Sequence, residues 1–270
     1  MYYDPIKNKI AKFVRKKIFL RKMFYKILGL IFLREWHVKR ALRELITSSG
    51  QGFTMLDAGS GFGQYSYYCL KKFPFLKIYA VDVKEDQIND CKDFLQNTGL
   101  NRRISLAVED LTEITHSEKF NLILSVDVME HINEDVKVFK NFYRSLEPSG
   151  KLIVNTPSNI GGSGTSNSDD KSFIEEHARN GYSVSELSQK LQSSGFRVET
   201  VRFTYGKYGN LSWRFGIKIP MSLLNTSFLF LLILPIYYII VLLPVLFLMI
   251  LDYFSENETG AGLLVVAVKS

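Results

Sequence analysis

Two cysteines, Cys69 and Cys91, are the only thiols among 270 residues. A disulfide framework and a four-thiolate zinc site are thereby excluded, and a reducing, cytoplasmic setting is the default expectation. Acids are scarce at one end only. The first forty residues hold twelve Lys or Arg and two acids, a net +10, which leaves −3 for the other 230. The overall charge of +7 therefore belongs to an N-terminal arm. Two phosphate-binding signatures are also missing. A dinucleotide fingerprint, Gly-x-Gly-x-x-Gly counted from Gly59, needs glycine where Gln64 stands, and no Gly-Lys-Ser/Thr follows the loop to make a Walker cradle. No repeat with a period of 20 to 50 residues is visible. With 46% hydrophobic and 13% aromatic residues, the chain suits one globular domain with appendages and is neither a mini-protein nor wholly disordered.

The arm, residues 1–45, interleaves Lys7, Lys9, Lys12, Arg15, Lys16, Lys17, Arg21 and Lys22 with Ile10, Phe13, Val14, Phe24, Leu28 and Ile31. On a helical wheel the apolar set falls on one side, interrupted by Lys17 and Arg21, whose long stems are expected to snorkel. Two readings stand side by side: a basic amphipathic helix lying on an anionic membrane, or a helix capping a domain with its charged face in water. A secretory signal fits poorly, because the run Ile27 to Leu33 is short and has no cleavage site.

From Phe53 to Pro157 short apolar runs alternate with amphipathic stretches. Strands are predicted at Phe53 to Leu56, Lys77 to Val81, Ile104 to Val108, Phe120 to Ser125 and Lys151 to Asn155. Helices are predicted at Gln64 to Phe73, Glu85 to Asn97 and Asn133 to Leu146. Such alternation implies a parallel sheet covered on both faces. The Gly- and Ser-rich run Asn159 to Asp170 reads as a lid or a linker. Ser183, with Glu186 three residues on, opens a further helix that Gly195 stops, and the strand Phe196 to Thr204 follows.

Residues Ile219 to Leu251 carry no charge over 33 positions. Gly260 to Lys269 then reads as a last β-strand, so both ends of the apolar segment belong on one side of a membrane. Two full spans need about 40 residues. The expected form is a hydrophobic hairpin over 219–255, broken at Pro235 and Pro244, that dips into one leaflet; a single span and a dimer interface are the competing readings. The core is then 46–218 completed by 256–270.

Three successive strand tips carry acids. The first strand enters the turn Asp57-Ala58-Gly59-Ser60-Gly61-Phe62-Gly63 ahead of a helix, where glycines admit a ligand close to backbone N–H groups. Asp57 would repel a pyrophosphate and attract an ammonium group. Asp82 ends the second strand, where an acid accepts hydrogen bonds from both ribose hydroxyls. Glu109, Asp110 and Leu111 end the third, within reach of an adenine amino group. The ligand these tips describe is a nucleoside without phosphate.

In their order, Asp57-x-Gly59-x-Gly61-x-Gly63, Asp82, Asp110, Ser125-Val126-Asp127-Val128-Met129-Glu130-His131-Ile132 and Leu146-Glu147-Pro148-Ser149-Gly150-Lys151-Leu152 resemble the motifs of class I S-adenosylmethionine-dependent methyltransferases. The Asp-Val-Met-Glu-His-Ile stretch is similar to the branch that includes ubiquinone-biosynthesis O-methyltransferases and many small-molecule and lipid-linked-sugar enzymes. The resemblance covers Phe53 to Thr204 and Gly260 to Lys269. It implies a Rossmann-like α/β three-layer sandwich, with a seven-stranded, mostly parallel sheet and an antiparallel last strand beside Phe196 to Thr204. The apolar segment becomes an insertion between the final two strands. S-adenosylmethionine is the implied cofactor: its methionine part at Asp57, Gly59, Ser60, Gly61 and Gly63, its ribose at Asp82 and Val83, its adenine at Asp110 and Leu111. Ser149 replaces a glycine often found there, a departure that affects a turn.

Methyl transfer from a sulfonium is an in-line displacement, so the protein's work is positioning and excluding water. If the acceptor must lose a proton, His131 is the first candidate base and His177 the second; a structural hydrogen bond is the alternative for each. Some relatives bind a divalent ion through residues matching Asp127, Glu130 and His131, although hard ions usually take more oxygen ligands; the metal stays undecided. The Asn/Asp-Pro-Pro-Tyr/Phe text expected for methylation of nucleic-acid amines is absent after the fourth strand. The expected enzyme is a methyltransferase at the cytoplasmic face of a membrane, held by the arm and the apolar segment, acting on a lipophilic or lipid-linked acceptor, with nucleic acid the less favoured substrate. An RNA methyltransferase and a non-catalytic cofactor-binding membrane subunit are the alternatives.

Overall fold

A computed structural model describes residues 17–46, 52–160 and 178–270. Arm residues 1–16, most of the Gly- and Ser-rich run, and His177 lie outside the described residues. The elements in chain order are α1 (Ile18–Ile31), α2 (Leu33–Ile46), β1 (Thr54–Ala58), α3 (Gln64–Lys72), β2 (Lys77–Asp82), α4 (Glu85–Asn97), β3 (Ile104–Val108), β4 (Phe120–Val126), α5 (Asp135–Ser145), β5 (Leu146–Pro157), α6 (Val184–Ser193), β6 (Phe196–Thr204), α7 (Lys207–Trp213), α8 (Ile219–Thr226), α9 (Leu234–Phe254) and β7 (Gly262–Lys269).

The strands form one sheet in the order β3-β2-β1-β4-β5-β7-β6. Pairing is parallel from β3 to β5, whereas β7 runs antiparallel between β5 and β6. Successive residues of one strand bury on opposite faces. Leu56, Ile123, Val154 and Val265 pack on one side with Phe139 and Phe142, while Met55, Leu122, Ile153 and Leu264 pack on the other with Val38, Leu42 and Leu70. Burial on both faces is what the near-continuous apolar runs require. Ser183 caps α6 as its spacing predicts, its hydroxyl accepting from the Glu186 amide at 3.0 Å.

Residues 18–46 pack directly against this sheet. Val38, Ala41, Leu42 and Ile46 of α2 and Tyr25 of α1 join the core on the α3 side. Arg21 is buried at 4% exposure, so the expectation that its stem snorkels to water is corrected. Its charge instead finds Asp90 at 2.7 Å, the Tyr25 hydroxyl at 2.7 Å and the Phe62 carbonyl at 2.7 Å. A buried guanidinium is stable only when so fully partnered.

The apolar segment lies between β6 and β7. Its outgoing limb is α7, a wide π turn at Arg214–Lys218, and α8; a 3-10 turn at Phe228–Leu232 leads into the returning limb, α9. Pro235 stands in the first turn of α9, where no N–H is needed, and marks a break as expected. Pro244 does not: α9 runs unbroken through it, 21 residues from Leu234 to Phe254. The loss of one intrahelical bond there is outweighed by packing on either side, since Val245 and Met249 bury against Leu33 and the Tyr238 hydroxyl donates to the Gly216 carbonyl at 2.7 Å. Among the described helices, α9 is long and apolar enough to cross a membrane, and most of it is not buried against the rest of the protein.

The hairpin is fastened at its base by Asp252, which has no exposed surface and accepts from the Gly209 amide at 2.8 Å and from Asn257 at 3.3 Å. Asp252→Ala leaves a buried N–H without an acceptor, which costs about 1–3 kcal/mol. Chemical denaturation of the purified protein should show that loss, larger than for an alanine at exposed Glu256.

Candidate active site

In a parallel sheet, ligands bind beyond the carboxyl ends of the strands where the chain order reverses, which here is between β1 and β4. The turn Asp57–Gly63 occupies that edge. Gly59, Gly61 and Gly63 all have φ in the left-handed region, at +79°, +51° and +70°. At Gly59 a Cβ would also collide with the side chain of Val128, so the loop after β4 lies directly on the glycine turn. The Gly59 and Ser60 amides both donate to the Val81 carbonyl at 2.9 Å, tying the turn to the end of β2.

Asp57, on β1, is 3% exposed and accepts a 2.6 Å hydrogen bond from the Ser66 hydroxyl. Burial pushes its carboxyl up to about 6; Ser66 opposes this and nearby Asp82 adds to it. Asp82, half-buried at the tip of β2, accepts from the Gly61 amide and the Lys84 amide, each at 2.9 Å. Val83 beside it is 58% exposed. One strand over, exposed Asp110 accepts from the Thr112 amide and hydroxyl at 2.8 Å, while Leu111 is buried. Glu109 is bonded to the Tyr79 hydroxyl and lies 3.2 Å from His116, so it belongs to a side-chain cluster. The structure thus gathers Asp57, the glycine turn, Asp82 and Asp110 along one edge.

His131 ends the short turn Met129–His131 after β4 and is exposed on that edge. His177 lies outside the described residues. Asp127 and Glu130, read beside His131 as matching a metal-binding arrangement, turn to other partners. Asp127, at φ +52°, forms an ion pair with Arg34, and Glu130 is buried with its carboxylate accepting from Thr156 at 3.0 Å. No group of three or more acids, histidines or cysteines is arranged for a metal among the described residues.

Several site residues escaped the sequence reading. Arg21 and Tyr25 of α1 both donate to the Phe62 carbonyl inside the glycine turn, and Arg21 also reaches the sulfur of Cys91 at 3.2 Å. Cys91 in turn lies against the turn, its thiol donating to the Gly61 carbonyl at 3.3 Å. Arg34 opens α2 beside the β4 tip, its amide donating to the Tyr205 hydroxyl at 3.2 Å. One signal was available: Arg21 interrupts the apolar side of an amphipathic helix, where a charge without a partner is costly.

The edge fits an adenosyl sulfonium without phosphate. The Ser60 hydroxyl is buried and has no hydrogen-bond partner, the turn takes a left-handed backbone at three glycines, and the Asp57 and Asp82 carboxylates offer partners for cationic and hydroxyl groups. A family model described as a methyltransferase domain matches residues 49–202, more than half of the chain. The chain belongs to this family of methyltransferases. Its methyl donor is S-adenosylmethionine. Over 120 residues the methyltransferase is 27% identical to malonyl-[acyl-carrier protein] O-methyltransferase 1 of Ilyobacter polytropus, covering 44% of each chain. It is 22% identical over 200 residues to phosphoethanolamine N-methyltransferase 1 of Arabidopsis thaliana, covering 72% of this chain and 38% of the relative. The chain therefore spans less than half the length of these curated relatives. Phosphoethanolamine N-methyltransferase 2 of Haemonchus contortus, solved with S-adenosyl-L-methionine, shares the fold at a TM-score of 0.63 and 19% identity, over 96% of this chain and 60% of that one.

Charge at Asp57 should make cofactor affinity depend on pH. A carboxyl raised to about 6 is ionised above that pH and neutral below it, so attraction for an ammonium group is present at pH 7.5 and lost as pH falls through 6. Equilibrium dialysis of labelled S-adenosylmethionine should show weaker binding at pH 5 than at pH 7.5. Asp57→Asn should weaken binding at pH 7.5 by about tenfold or more, in line with a charge-assisted hydrogen bond of about 1.5–3 kcal/mol, and flatten the pH profile.

Proposed function

We propose that this methyltransferase works at the cytoplasmic face of a membrane and methylates a lipophilic or lipid-linked small molecule, with oxygen the atom modified. The observation that carries the reading is the hairpin between β6 and β7. Leu232 and Ile239 are each 78% exposed, and Ile236, Leu243, Phe247 and Phe254 continue an apolar stripe along α9. Water-facing apolar surface of this extent marks a membrane or protein contact. Both ends of the hairpin return to neighbouring strands of one sheet, which favours insertion from one side over a crossing. At 1.5 Å per residue, α9 is about 31 Å long, yet charges at Arg214 and Lys218 on the outgoing limb limit the uncharged part to the tip, a depth suited to one leaflet.

The cofactor supplies a methyl group on a sulfonium, already activated for displacement. What remains for the protein is to hold two reactants in line and keep water out. Asp57, the glycine turn with Ser60, Asp82 with Val83, and Asp110 with Leu111 take the roles of binding its methionine, ribose and adenine parts. His131, exposed on the loop that touches Gly59 through Val128, is assigned as the base that removes a proton from a hydroxyl acceptor, with His177 as the second candidate. The relatives' names span an O-methyltransferase of a carrier-bound acid and an N-methyltransferase of a phosphoamine; a small or carrier-linked acceptor is compatible with both.

Transfer of labelled methyl into fractionated cell lipids, glycans and RNA tests the acceptor class: label in the lipid-extractable fraction is expected, and label confined to RNA overturns the reading. Against the lipid acceptor so identified, His131→Ala should lower kcat by about 10²–10⁴-fold while leaving cofactor affinity near its original value. A chain in which residues 219–251 give way to a short polar turn should bind cofactor but lose activity on membrane-embedded acceptor.

A further inference from the structure

Helix α1 has two faces with different partners. Its inner face presents Arg21 and Tyr25, both of which donate to the Phe62 carbonyl within the cofactor turn, while Arg21 also pairs with Asp90 of α4. Its outer face presents Phe19, Met23, Ile27 and Leu30, exposed by 72%, 42%, 43% and 41%. At about 100° per residue these four fall within one quadrant of the wheel, and Arg21 and Tyr25 fall on the opposite side. Lys22, half-buried, and exposed Lys26 line one edge of the apolar stripe, exposed Lys17 precedes it, and the sequence upstream adds Lys7, Lys9, Lys12, Arg15 and Lys16. α1 also lies against α9, and Leu33 at the α1–α2 junction packs on Val245 and Met249. The helix that grips the cofactor turn is thus joined to the hairpin and carries its own apolar, basic-rimmed surface.

From this arrangement we infer that the outer face of α1 docks on an anionic lipid surface, and that docking is coupled through Arg21 and the Phe62 carbonyl to cofactor binding, so that each tightens the other. The inference rests on the membrane reading above and adds to it a route from bilayer to cofactor. Charge complementarity selects the occupant: a stripe of Phe, Met, Ile and Leu rimmed by lysines matches acyl chains below acidic headgroups. A neutral protein partner would gain nothing from the rim. Arg21 acts as a positioning residue, since its hydrogen bonds run to the turn, to Tyr25 and to α4. The Phe62 carbonyl it holds belongs to the same turn whose amides bond Val81 and Asp82. Anchoring α1 restricts its departure from the turn, and a turn held in its binding form takes cofactor more tightly; by linkage the cofactor strengthens anchoring equally.

The test measures S-adenosylmethionine affinity of the full chain by equilibrium dialysis, alone, with phosphatidylcholine vesicles and with vesicles containing phosphatidylglycerol, alongside flotation of the same mixtures. Anionic vesicles should lower Kd by roughly fivefold or more, within the usual span of allosteric coupling, and phosphatidylcholine vesicles should have a smaller effect. The triple variant Phe19→Ser, Met23→Ser, Ile27→Ser should keep the vesicle-free Kd and lose the gain, while still floating through the hairpin. Arg21→Ala should bind cofactor more weakly and respond less to vesicles. If the protein floats with anionic vesicles yet its Kd is unchanged, the coupling is overturned and the membrane reading stands. Full tightening retained by the triple variant overturns docking through α1. Failure to float at all overturns the membrane reading and the coupling with it.

Discussion

The last strand governs the rest of the molecule. β7 enters antiparallel between β5 and β6, pairing with both along its length, and its residues Leu263 to Val268 are all buried. A central strand satisfies its backbone groups on two sides, and leaving that slot open would expose two edges and a large part of the core. Everything between β6 and β7 must therefore leave the sheet and come back to it. The apolar segment is thus a hairpin, with outgoing and returning limbs held together at the base by Asp252 and Gly209. The same slot gives α2 its support, since Leu264 and Val266 belong to the core cluster that holds Val38, Leu42 and Ile46.

Along the same carboxyl edge from which the hairpin leaves the sheet, the glycine turn depends on desolvation and close backbone approach. Burial takes away the ordinary acidity of the Asp57 carboxyl, against the opposing effect of its short bond from Ser66. Such a group is stabilised by a cation, so the site is prepared for one before any ligand arrives. The glycine turn can sit against Val128 only because Gly59 has no side chain, and this contact brings the loop bearing Asp127 and His131 to the cofactor edge. The strained backbone of Asp127, at φ +52°, stands at the same junction, held by the hydrogen bond its backbone N–H donates to the Asn155 carbonyl and by Arg34.

How much of this was legible beforehand follows from the range of each interaction. β3 and α4 have the bounds expected from periodicity, and Ser183 caps α6 as its spacing indicates, because these features depend on neighbours a few residues away. Strand ends were less visible: β5 starts at Leu146, five residues earlier than expected, because pairing with β4 extends it past the turn at Ser149. Arg21 was misread because helical periodicity shows that a charge sits on an apolar face and cannot show that a carboxylate and a carbonyl from two other elements wait there. Pro244 was misread for a similar reason: its intrinsic cost is local, whereas the packing that keeps α9 whole comes from α2 and the outgoing limb.

By itself, the sequence determined the alternation of elements, the acids and glycines at successive strand tips, the absence of a phosphate-binding signature, and the uncharged stretch before the final strand. Each of these is written in spacing or composition, and each limits the fold and the ligand without reference to distant residues. Only the tertiary structure decided that α1 and α2 are part of the core, that Arg21 and Tyr25 grip the glycine turn, that Asp127 faces Arg34, and that α9 passes through Pro244. Those outcomes depend on which side chains meet across scores of residues, where burial and partner geometry outweigh local preference.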